Sequence, residues 1–305
     1  MTKNVLGVSN LTKFFGETLA VNDISFSVSE GEIVGLLGPN GAGKTSTIQM
    51  LLGTLTPNSG TIHYFGKDFA NNREEILKQI NFCSSYIRLP WRMTVWENLE
   101  VMARLYEVHD RKERIQKLLE TFELSEFKDQ STGDLSAGQN MRAILAKSFI
   151  NYPKLLLLDE PTASLDPDVA QKVREFLKKE QKEYGVSMLL TSHNMAEVEE
   201  LADRVIFLNK GQIIAEDTPE HLASEIDVTR IDLLIPTKIE EAMELLCENE
   251  FKVGINGKYL KVETQEDKIA NMLTILSSAK IEYKEISIDK PDLEDFFLKT
   301  TKENL

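Results

Sequence analysis

The 305-residue sequence predicts an α/β protein, in which a large unit with a parallel β-sheet is followed by a small α+β unit. Two observations lead to this prediction. Over roughly the first 225 residues, short apolar runs alternate with helical patterns, as they do where helices flank a parallel sheet. After that point the pattern starts again, and the chain is long enough for two domains.

Composition limits the classes of protein to which the chain can belong. A formal net charge of −14 argues against nucleic-acid binding, which needs a basic face. The two cysteines, Cys83 and Cys247, show no metal-ligand spacing and favour a reducing compartment. No apolar run approaches the roughly 20 residues of a membrane span, and the start MTKNVLGVSN has no apolar signal segment, so we expect a cytosolic chain.

The elements of the large unit follow from local patterns. Residues 1–30 contain short β-prone runs, and the apolar run at 32–37 leads through a glycine-rich turn into a helical pattern. Residues 95–124 and the stretch GQNMRAILAKSFI are periodic as helices. KLLLLDEP and VSMLLTSH are typical of buried parallel strands separated by a helix, and RVIFLNKGQIIAE predicts a hairpin that turns at NKG.

The small unit has its own order of elements. RIDLLI predicts a strand, TKIEEAMELLCEN a helix, and FKVGINGKYLKVET a hairpin around NG. A helix in DKIANMLTILSSA, a strand in EYKEISI and a last amphipathic helix in DLEDFFLKTT follow. The resulting β-α-β-β-α-β order predicts a ferredoxin-like α+β domain.

The stretch GPNGAGKT, residues 38–45, matches the phosphate-binding pattern G-x-x-x-x-G-K-[ST] between a predicted strand and a predicted helix. Glycines let consecutive backbone N–H groups face an anion, and the helix start adds a partial positive charge. Lys44 is predicted to reach the β- and γ-phosphates in catalysis, and the Thr45 hydroxyl to bind Mg²⁺. The predicted nucleotide contacts here are Asn40, Gly41, Ala42, Gly43, Lys44, Thr45 and Ser46.

Three further side chains are predicted at the same edge of the parallel sheet. Asp159 and Glu160 end the apolar strand LLLLDE, where α/β proteins bind ligands. Asp159 would hold Mg²⁺, and Glu160 would act as general base on the attacking water. His193 closes another buried strand in LLTSHN and is predicted to be catalytic, although a lone histidine at a strand end is often structural.

The stretch LSAGQ, residues 135–139, opens a helix and allows two interpretations. Ser136 and Gln139 fit a capping box, in which each side chain bonds the other residue's backbone N–H. Alternatively, the Ser136 hydroxyl and the Gly138 amide form a second anion site at a helix N-terminus. Because one nucleotide already occupies the first loop, such a site would have to face another chain.

Together, GPNGAGKT, LSAGQ, LLLLDEP, SLDP and TSH resemble, in sequence order, the ATP-binding subunit of an ABC transporter. The resemblance implies a P-loop cassette over residues 1–225, with a RecA-like core, an antiparallel β part and a helical subdomain at about 86–148. It further implies ATP and Mg²⁺ as ligands and a head-to-tail dimer, with itself or a related subunit, that encloses two nucleotides. Asp166 would communicate across the dimer, Phe15 would stack on adenine, and Val21 would lie beside Phe15.

The signature differs slightly from the family pattern, because Ala137-Gly138 stands for a pair of glycines, and the loop before TVWENL departs from it further. Aligned backwards from TVWENL, the glutamine that in this family senses Mg²⁺ and the attacking water is Ser85. A serine is too short to reach the metal directly, but a bridging water could replace the contact. We therefore expect hydrolysis to survive, with its link to this loop altered and Ser85 near the metal.

The same loop predicts a partner. In this family it receives the coupling helices of an integral membrane subunit, which would explain exposed Trp91, Arg92 and Trp96, although the tryptophans could instead fill the core of the helical subdomain. Such a partner would place the chain at the inner face of the cell membrane. The ending KPDLEDFFLKTT resembles an accessory domain of drug-resistance and ABC-2 exporters, which implies that residues 226–305 regulate or steady the dimer.

The leading hypothesis is therefore the ATPase subunit of an ABC exporter that drives a separate membrane subunit. A soluble ABC-type ATPase acting on another machine is the alternative, although such proteins carry two cassettes or long insertions that are absent here. A non-hydrolysing ATP-dependent clamp is a third hypothesis, suggested by Ser85 and disfavoured by Glu160 and His193.

Overall fold

The computed structural model describes residues 3–163 and 165–303, with side chains described up to residue 300. Ser164, the first residue of the SLDP motif, lies outside the described residues. The chain divides into two compact units, Met1–Thr218 and Pro219–Leu305. The boundary predicted after residue 225 lies a few residues further along the chain.

The β-strands were numbered in chain order: β1 Asn4–Phe15, β2 Thr18–Ser29, β3 Ile33–Leu37, β4 Ser59–Tyr64, β5 Lys67–Asp68, β6 Ile80–Ser84, β7 Leu155–Asp159, β8 Ser187–Thr191, β9 Arg204–Asn209, β10 Gln212–Asp217, β11 Thr229–Leu234, β12 Lys252–Asn256, β13 Tyr259–Thr264 and β14 Glu285–Asp289.

The α-helices were numbered in the same way: α1 Lys44–Leu51, α2 Arg73–Leu77, α3 Val95–Leu105, α4 Arg111–Thr121, α5 Ala137–Ser148, α6 Pro167–Tyr184, α7 Met195–Leu201, α8 Pro219–Ser224, α9 Ile239–Glu248, α10 Ile269–Ser278 and α11 Leu293–Glu303. Single 3₁₀ turns occur at Ser125–Phe127, Thr132–Asp134 and Glu266–Lys268.

A six-stranded sheet in the order β10-β9-β3-β8-β7-β6 forms the centre of the first unit. Strands β6, β7, β8, β3 and β9 are parallel, and β10 returns antiparallel to β9 in the predicted hairpin. The residues of β3 and β8 are all buried, as their continuous apolar runs predict for strands covered on both faces. The carboxyl ends of the parallel strands therefore meet along one edge, where the predicted chemistry lies.

The first unit also contains a second sheet in the order β2-β1-β4-β5, in which β1 and β2 come before β3 in the chain and β4 and β5 after it. The sequence predicts only short β-prone runs before residue 30, whereas the structure contains two 12-residue strands. The β1–β2 register shifts at several points, which interrupts the alternation of buried and exposed residues and hides the length of the strands in the sequence. Buried side chains of β1, β2 and β4 share one hydrophobic core with β3 and α1.

Between β6 and β7 the chain forms α3, α4 and α5, within the segment predicted as a helical subdomain. Helix α3 starts with a capping box, because the Thr94 side chain accepts from the Glu97 amide and the Glu97 carboxylate accepts from the Thr94 amide. Its amphipathic pattern buries Val95, Leu99 and Ala103. The predicted pair of helices over residues 95–124 is thus confirmed.

The second unit contains a four-stranded antiparallel sheet in the order β12-β13-β11-β14. Helices α9 and α10 contribute Leu246 and Met272 to a core that includes Leu233 and Leu260 of the sheet. The predicted β-α-β-β-α-β order is present, and this strand order is that of a split β-α-β domain.

No helix within residues 3–163 and 165–303 is long and apolar enough to cross a membrane.

Candidate functional site

The phosphate loop, residues 38–45, joins the end of β3 to the start of α1. Gly41 and Gly43 have φ angles of 82° and 105°, which side chains rarely tolerate. A Cβ atom on Gly43 would also lie 2.6 Å from the backbone oxygen of Ala20. No described side chain caps this end of α1, so its first amides are left for an anion.

The Lys44 side chain folds back over this loop. Its Nζ donates to the carbonyls of Gly38 and Pro39, at 2.6 and 3.1 Å. Burial lowers the pKa of Lys44, and the negative charges of Glu160 and Asp159 oppose that shift. The ammonium group thus lies within electrostatic reach of both predicted carboxylates.

The other predicted contacts of the loop differ in exposure. Asn40, Gly41 and Thr45 are exposed, and Ser46 is half-buried. Ala42, by contrast, is only 2% exposed, so it offers its backbone rather than its side chain to a ligand.

The two residues predicted near adenine also differ in exposure. Phe15 is 48% exposed at the end of β1, as a side chain that stacks on a ligand must be. Val21 is fully buried in the core, and its methyl group lies beside Gly43. Val21, predicted to contact the nucleotide beside Phe15, packs behind the phosphate loop, because the inward face of β2 carries it there.

Two hydroxyl groups from neighbouring strands hold the Asp159 carboxylate. Thr191 Oγ1 at the end of β8 donates to Oδ1 at 2.6 Å, and Ser84 Oγ at the end of β6 donates to Oδ2 at 3.3 Å. Both hydroxyl residues are buried and pair in register with Asp159. Sequence reasoning missed both; the only available signal was their position at the ends of strands beside β7.

Ser85, which replaces the family's glutamine, contacts Asp159 differently. Its backbone N–H donates to the Asp159 carbonyl oxygen at 3.4 Å, and it is half-buried. The hydroxyl of this stretch that bonds the Asp159 carboxylate belongs to the preceding residue, Ser84, and the place of Ser85 near a metal ion stays a prediction.

Glu160 and His193 meet at the edge formed by the ends of β7 and β8. His193 Nδ1 lies 2.6 Å from Glu160 Oε2, and the His193 amide donates weakly to the same oxygen at 3.4 Å. Glu160 has a φ angle of 55°, an uncommon conformation for a residue with a side chain. Its own amide donates to the carbonyl of Thr191. The two side chains predicted to act together are thus in direct contact.

The LSAGQ stretch caps its own helix. Ser136 Oγ accepts from the Gln139 amide at 3.2 Å, and Gln139 Oε1 accepts from the Ser136 amide at 2.8 Å. Within the described residues, a Cβ atom on Gly138 would have Leu165 as its only neighbour within 4 Å, at 3.9 Å. Asp166 is exposed at the N-cap position of α6. The capping-box interpretation is confirmed for the free chain.

The loop before α3 presents a polar and aromatic surface. Trp91 is 64% exposed, Tyr86 is 82% exposed, and the guanidinium carbon of Arg92 lies 4.6 Å from the centre of the Trp91 ring. Trp96 is half-buried, so the expectation of an exposed Trp96 is corrected. As the second residue of α3, Trp96 donates its backbone amide to the carbonyl oxygen of Lys128 at 2.9 Å.

A family model described as ABC transporter matches residues 21–163, which include the phosphate loop, LSAGQ and the carboxylates. The chain is 32% identical to the bacitracin transport ATP-binding protein BcrA of Bacillus licheniformis, over 97% of this chain and 96% of that protein. It is 34% identical to the Nod factor export ATP-binding protein I of Rhizobium sp. (strain N33), over 99% and 98%. The chain belongs to the ATP-binding proteins of ABC transporters.

Solved structures show the same cassette. The structure of an ATP-binding subunit of an ABC transporter matches with a TM-score of 0.68 and 28% identity, over 72% of this chain and 92% of that one. A dimeric post-hydrolysis cassette, MJ0796 bound to ADP and Pi, matches with a TM-score of 0.64 and 25% identity, over 70% and 98%. The ABC ATPase cassette is therefore the fold of the first unit.

Proposed function

We propose that this chain is the ATP-hydrolysing subunit of an ABC exporter, and that it drives a separate membrane subunit from the inner face of the membrane. The contact between Glu160 and His193 carries the hydrolytic part of the proposal. The export part is supported by relatives named for bacitracin transport and Nod factor export, which are similar over nearly the whole chain, including the second unit.

In the proposed mechanism, the amides of the phosphate loop and the Lys44 ammonium bind the phosphates of ATP. Glu160 accepts the proton of the attacking water, and His193 holds the Glu160 carboxylate in place through its 2.6 Å contact. The exposed Phe15 ring stacks on adenine.

The oxygen donors at this edge fit Mg²⁺. The Asp159 carboxylate is held by two hydroxyls, and exposed Thr45 lies in the first turn of α1, at the end of the phosphate loop. Such a set of one carboxylate and one hydroxyl suits an ion that keeps several waters and bonds substrate phosphates. Among the described residues there is no cluster of three metal-binding carboxylate, cysteine or histidine side chains. Bound Mg²⁺ would neutralise negative charge on the phosphates.

We further propose that two chains meet head to tail, so that Ser136 and Gly138 of one chain face the nucleotide held by the other. The similarity to a dimeric cassette structure supports the dimer itself. Ser136 is exposed, and among the described residues Leu165 alone comes within 4 Å of a Cβ atom built on Gly138, which suits a phosphate contact. Asp166, exposed at the start of α6, would communicate between the two sites.

Glu160→Gln tests the hydrolytic proposal, because it keeps the shape of the side chain and removes the base. We expect steady-state ATPase activity to fall by about 10²-fold or more and a stable ATP-bound dimer to accumulate on size-exclusion chromatography. Glu175→Gln, on the exposed side of α6, is the matched control. A variant that keeps its ATPase activity would contradict the role of Glu160.

The membrane partner is tested by a tagged pull-down from native membranes in mild detergent, with the captured chains identified by mass. We expect a multi-spanning protein that is lost when the exposed Trp91 is changed to Ala, since large exposed aromatics carry much of the energy of interfaces. Tyr184→Ala, an exposed aromatic at the end of α6, is the control. Recovery without any membrane protein would favour the alternative of an ATPase that serves a non-membrane machine.

Ser85→Gln tests whether the loss of the family's glutamine alters coupling. We expect basal and partner-stimulated ATPase rates to change by about two- to tenfold, because the longer side chain would reach towards the metal site. Ser84→Ala, measured beside it, removes the hydroxyl that bonds Asp159. Unchanged rates in Ser85→Gln would show that this position does not influence hydrolysis.

A further inference from the structure

One buried carboxylate outside the predicted site connects the loop after Glu160 to the loop before His193. Glu197 lies in the first turn of α7 and is 2% exposed. Its Oε1 accepts from Thr162 Oγ1 at 2.7 Å, and its Oε2 accepts from Ser192 Oγ at 2.7 Å. Both carboxylate oxygens are therefore bonded, each to a hydroxyl on a different loop.

Those two loops carry the residues proposed to hydrolyse ATP. Thr162 follows Glu160 by two residues in the loop between β7 and α6, and Ser192 immediately precedes His193. The Thr162 loop is a tight turn, in which the Ala163 amide donates to the Glu160 carbonyl. Movement of either hydroxyl partner would thus shift Glu160 or His193.

A purely local role does not explain this carboxylate. The pair Asn194 and Glu197 has the spacing of a helix cap, and the Asn194 side chain does accept from the Glu197 amide at 3.3 Å. In a full capping box, the Glu197 carboxylate would accept from the Asn194 amide. Here the Asn194 amide donates to Ser192 Oγ instead, at 3.1 Å. The Glu197 side chain is thereby directed between the loops rather than back to its own helix start.

Burying a carboxylate is unfavourable unless its oxygens are bonded. Burial raises the pKa of Glu197, and the hydroxyls of Ser192 and Thr162, with the charge of Arg174, act against that shift. An apolar side chain would fill this buried position of α7 without such a cost. The bonds to the two loops are the feature that an apolar residue could not supply.

We propose that Glu197 is a positioning residue for ATP hydrolysis, which holds the loop after Glu160 and the loop before His193 in one arrangement. This inference rests on the proposed roles of Glu160 and His193. Glu197 touches neither of these side chains in the described contacts, and it lies outside the phosphate loop. Its loss should therefore lower kcat and leave the affinity for ATP nearly unchanged.

The test measures steady-state ATPase activity and ATP affinity in the full chain. Glu197→Leu keeps the volume and removes both bonds, so we expect kcat to fall by about 10- to 100-fold with KM within about twofold, the size of effect that small misplacements of reacting groups produce. Glu197→Gln, which can still bond both hydroxyls once they rotate, should recover much of the loss. Glu200→Gln on the same helix is the control, because Glu200 is half-exposed and pairs with Arg174.

A double mutant separates positioning from general damage. In a His193→Ala background, Glu197→Leu should reduce kcat by less than about twofold further, since the contact it maintains has already been lost. A reduction by the same factor in both backgrounds, an unchanged kcat in Glu197→Leu, or a higher KM at unchanged kcat would each overturn the proposal.

Two further controls keep the result interpretable. If Glu197→Leu does not fold, as judged by thermal unfolding, Thr162→Val and Ser192→Ala remove the two bonds one at a time and should each lower kcat at unchanged KM; full activity in both would overturn the proposal. Glu160→Gln is assayed in parallel. ATPase activity in Glu160→Gln would contradict the proposed function itself. An inactive Glu160→Gln beside a fully active Glu197→Leu would refute only the positioning role of Glu197.

Discussion

The N-termini of α1 and α5 both belong to motifs predicted to bind phosphate, yet the chain builds them in opposite ways. At α1 the cap residue is Gly43, and no described side chain bonds the first amides. At α5 the Ser136 and Gln139 side chains already satisfy backbone amides in a closed capping box. The first end is ready for an anion in a single chain, whereas the second is stable without one.

This difference suggests a division of labour. Uncapped amides leave hydrogen-bonding capacity that ATP can use, which agrees with a loop that binds nucleotide in the monomer. A capped end with an exposed Ser136 and few described neighbours around Gly138 can add a contact when a partner brings its nucleotide. Binding would then come first and dimerisation second.

Among the substitutions that test this difference, Gly43→Ala is expected to have the largest effect, a loss of ATP affinity at the N-terminus of α1. The new Cβ atom would lie 2.6 Å from the Ala20 carbonyl oxygen, at a φ angle of 105°. The strain alone is of the order of 1–3 kcal/mol, and we expect ATP affinity to fall at least tenfold in a direct binding measurement. Wild-type affinity would show that the backbone of this loop is less constrained than its geometry indicates.

Gly138→Ala makes the matched change at the other helix. Alanine favours helix by up to about 1 kcal/mol over glycine, so the free energy of unfolding should stay the same or rise. ATP binding by the monomer should be unchanged, whereas ATPase activity should fall about tenfold, because the methyl group would occupy the space before the partner's nucleotide. A drop in monomer affinity for ATP would contradict the separation of the two sites.

The smallest effect is expected on the free energy of unfolding, when the capping boxes at Ser136 and Thr94 are each disrupted. Ser136→Ala and Thr94→Ala each remove a bond to the amide three residues later, and each should lower the free energy of unfolding by about 1 kcal/mol. Only Ser136→Ala should also reduce ATP-driven dimerisation, measured by light scattering in the Glu160→Gln background. Equal dimerisation in both variants would show that LSAGQ caps its helix and does not contribute to the dimer.

Much of the molecule could be predicted from local patterns. Continuous apolar runs identified β3, β7 and β8, helical periodicity identified α3 to α6, and the turn residues identified both predicted hairpins. The phosphate loop and the capping box at Ser136 were recognisable because their chemistry depends on residues only a few positions apart. Backbone hydrogen bonding and side-chain periodicity are local properties, so the sequence by itself determined these features.

Other features depended on which strands lie side by side. The Ser84 hydroxyl bonds the Asp159 carboxylate, because the register of β6 against β7 brings Ser84 opposite Asp159. Val21 is buried because β2 packs on the phosphate loop, and Glu197 joins two loops separated from each other by about thirty residues of chain. These contacts form between segments distant in sequence, and no local pattern encodes the register that aligns them. Only the tertiary structure decided them.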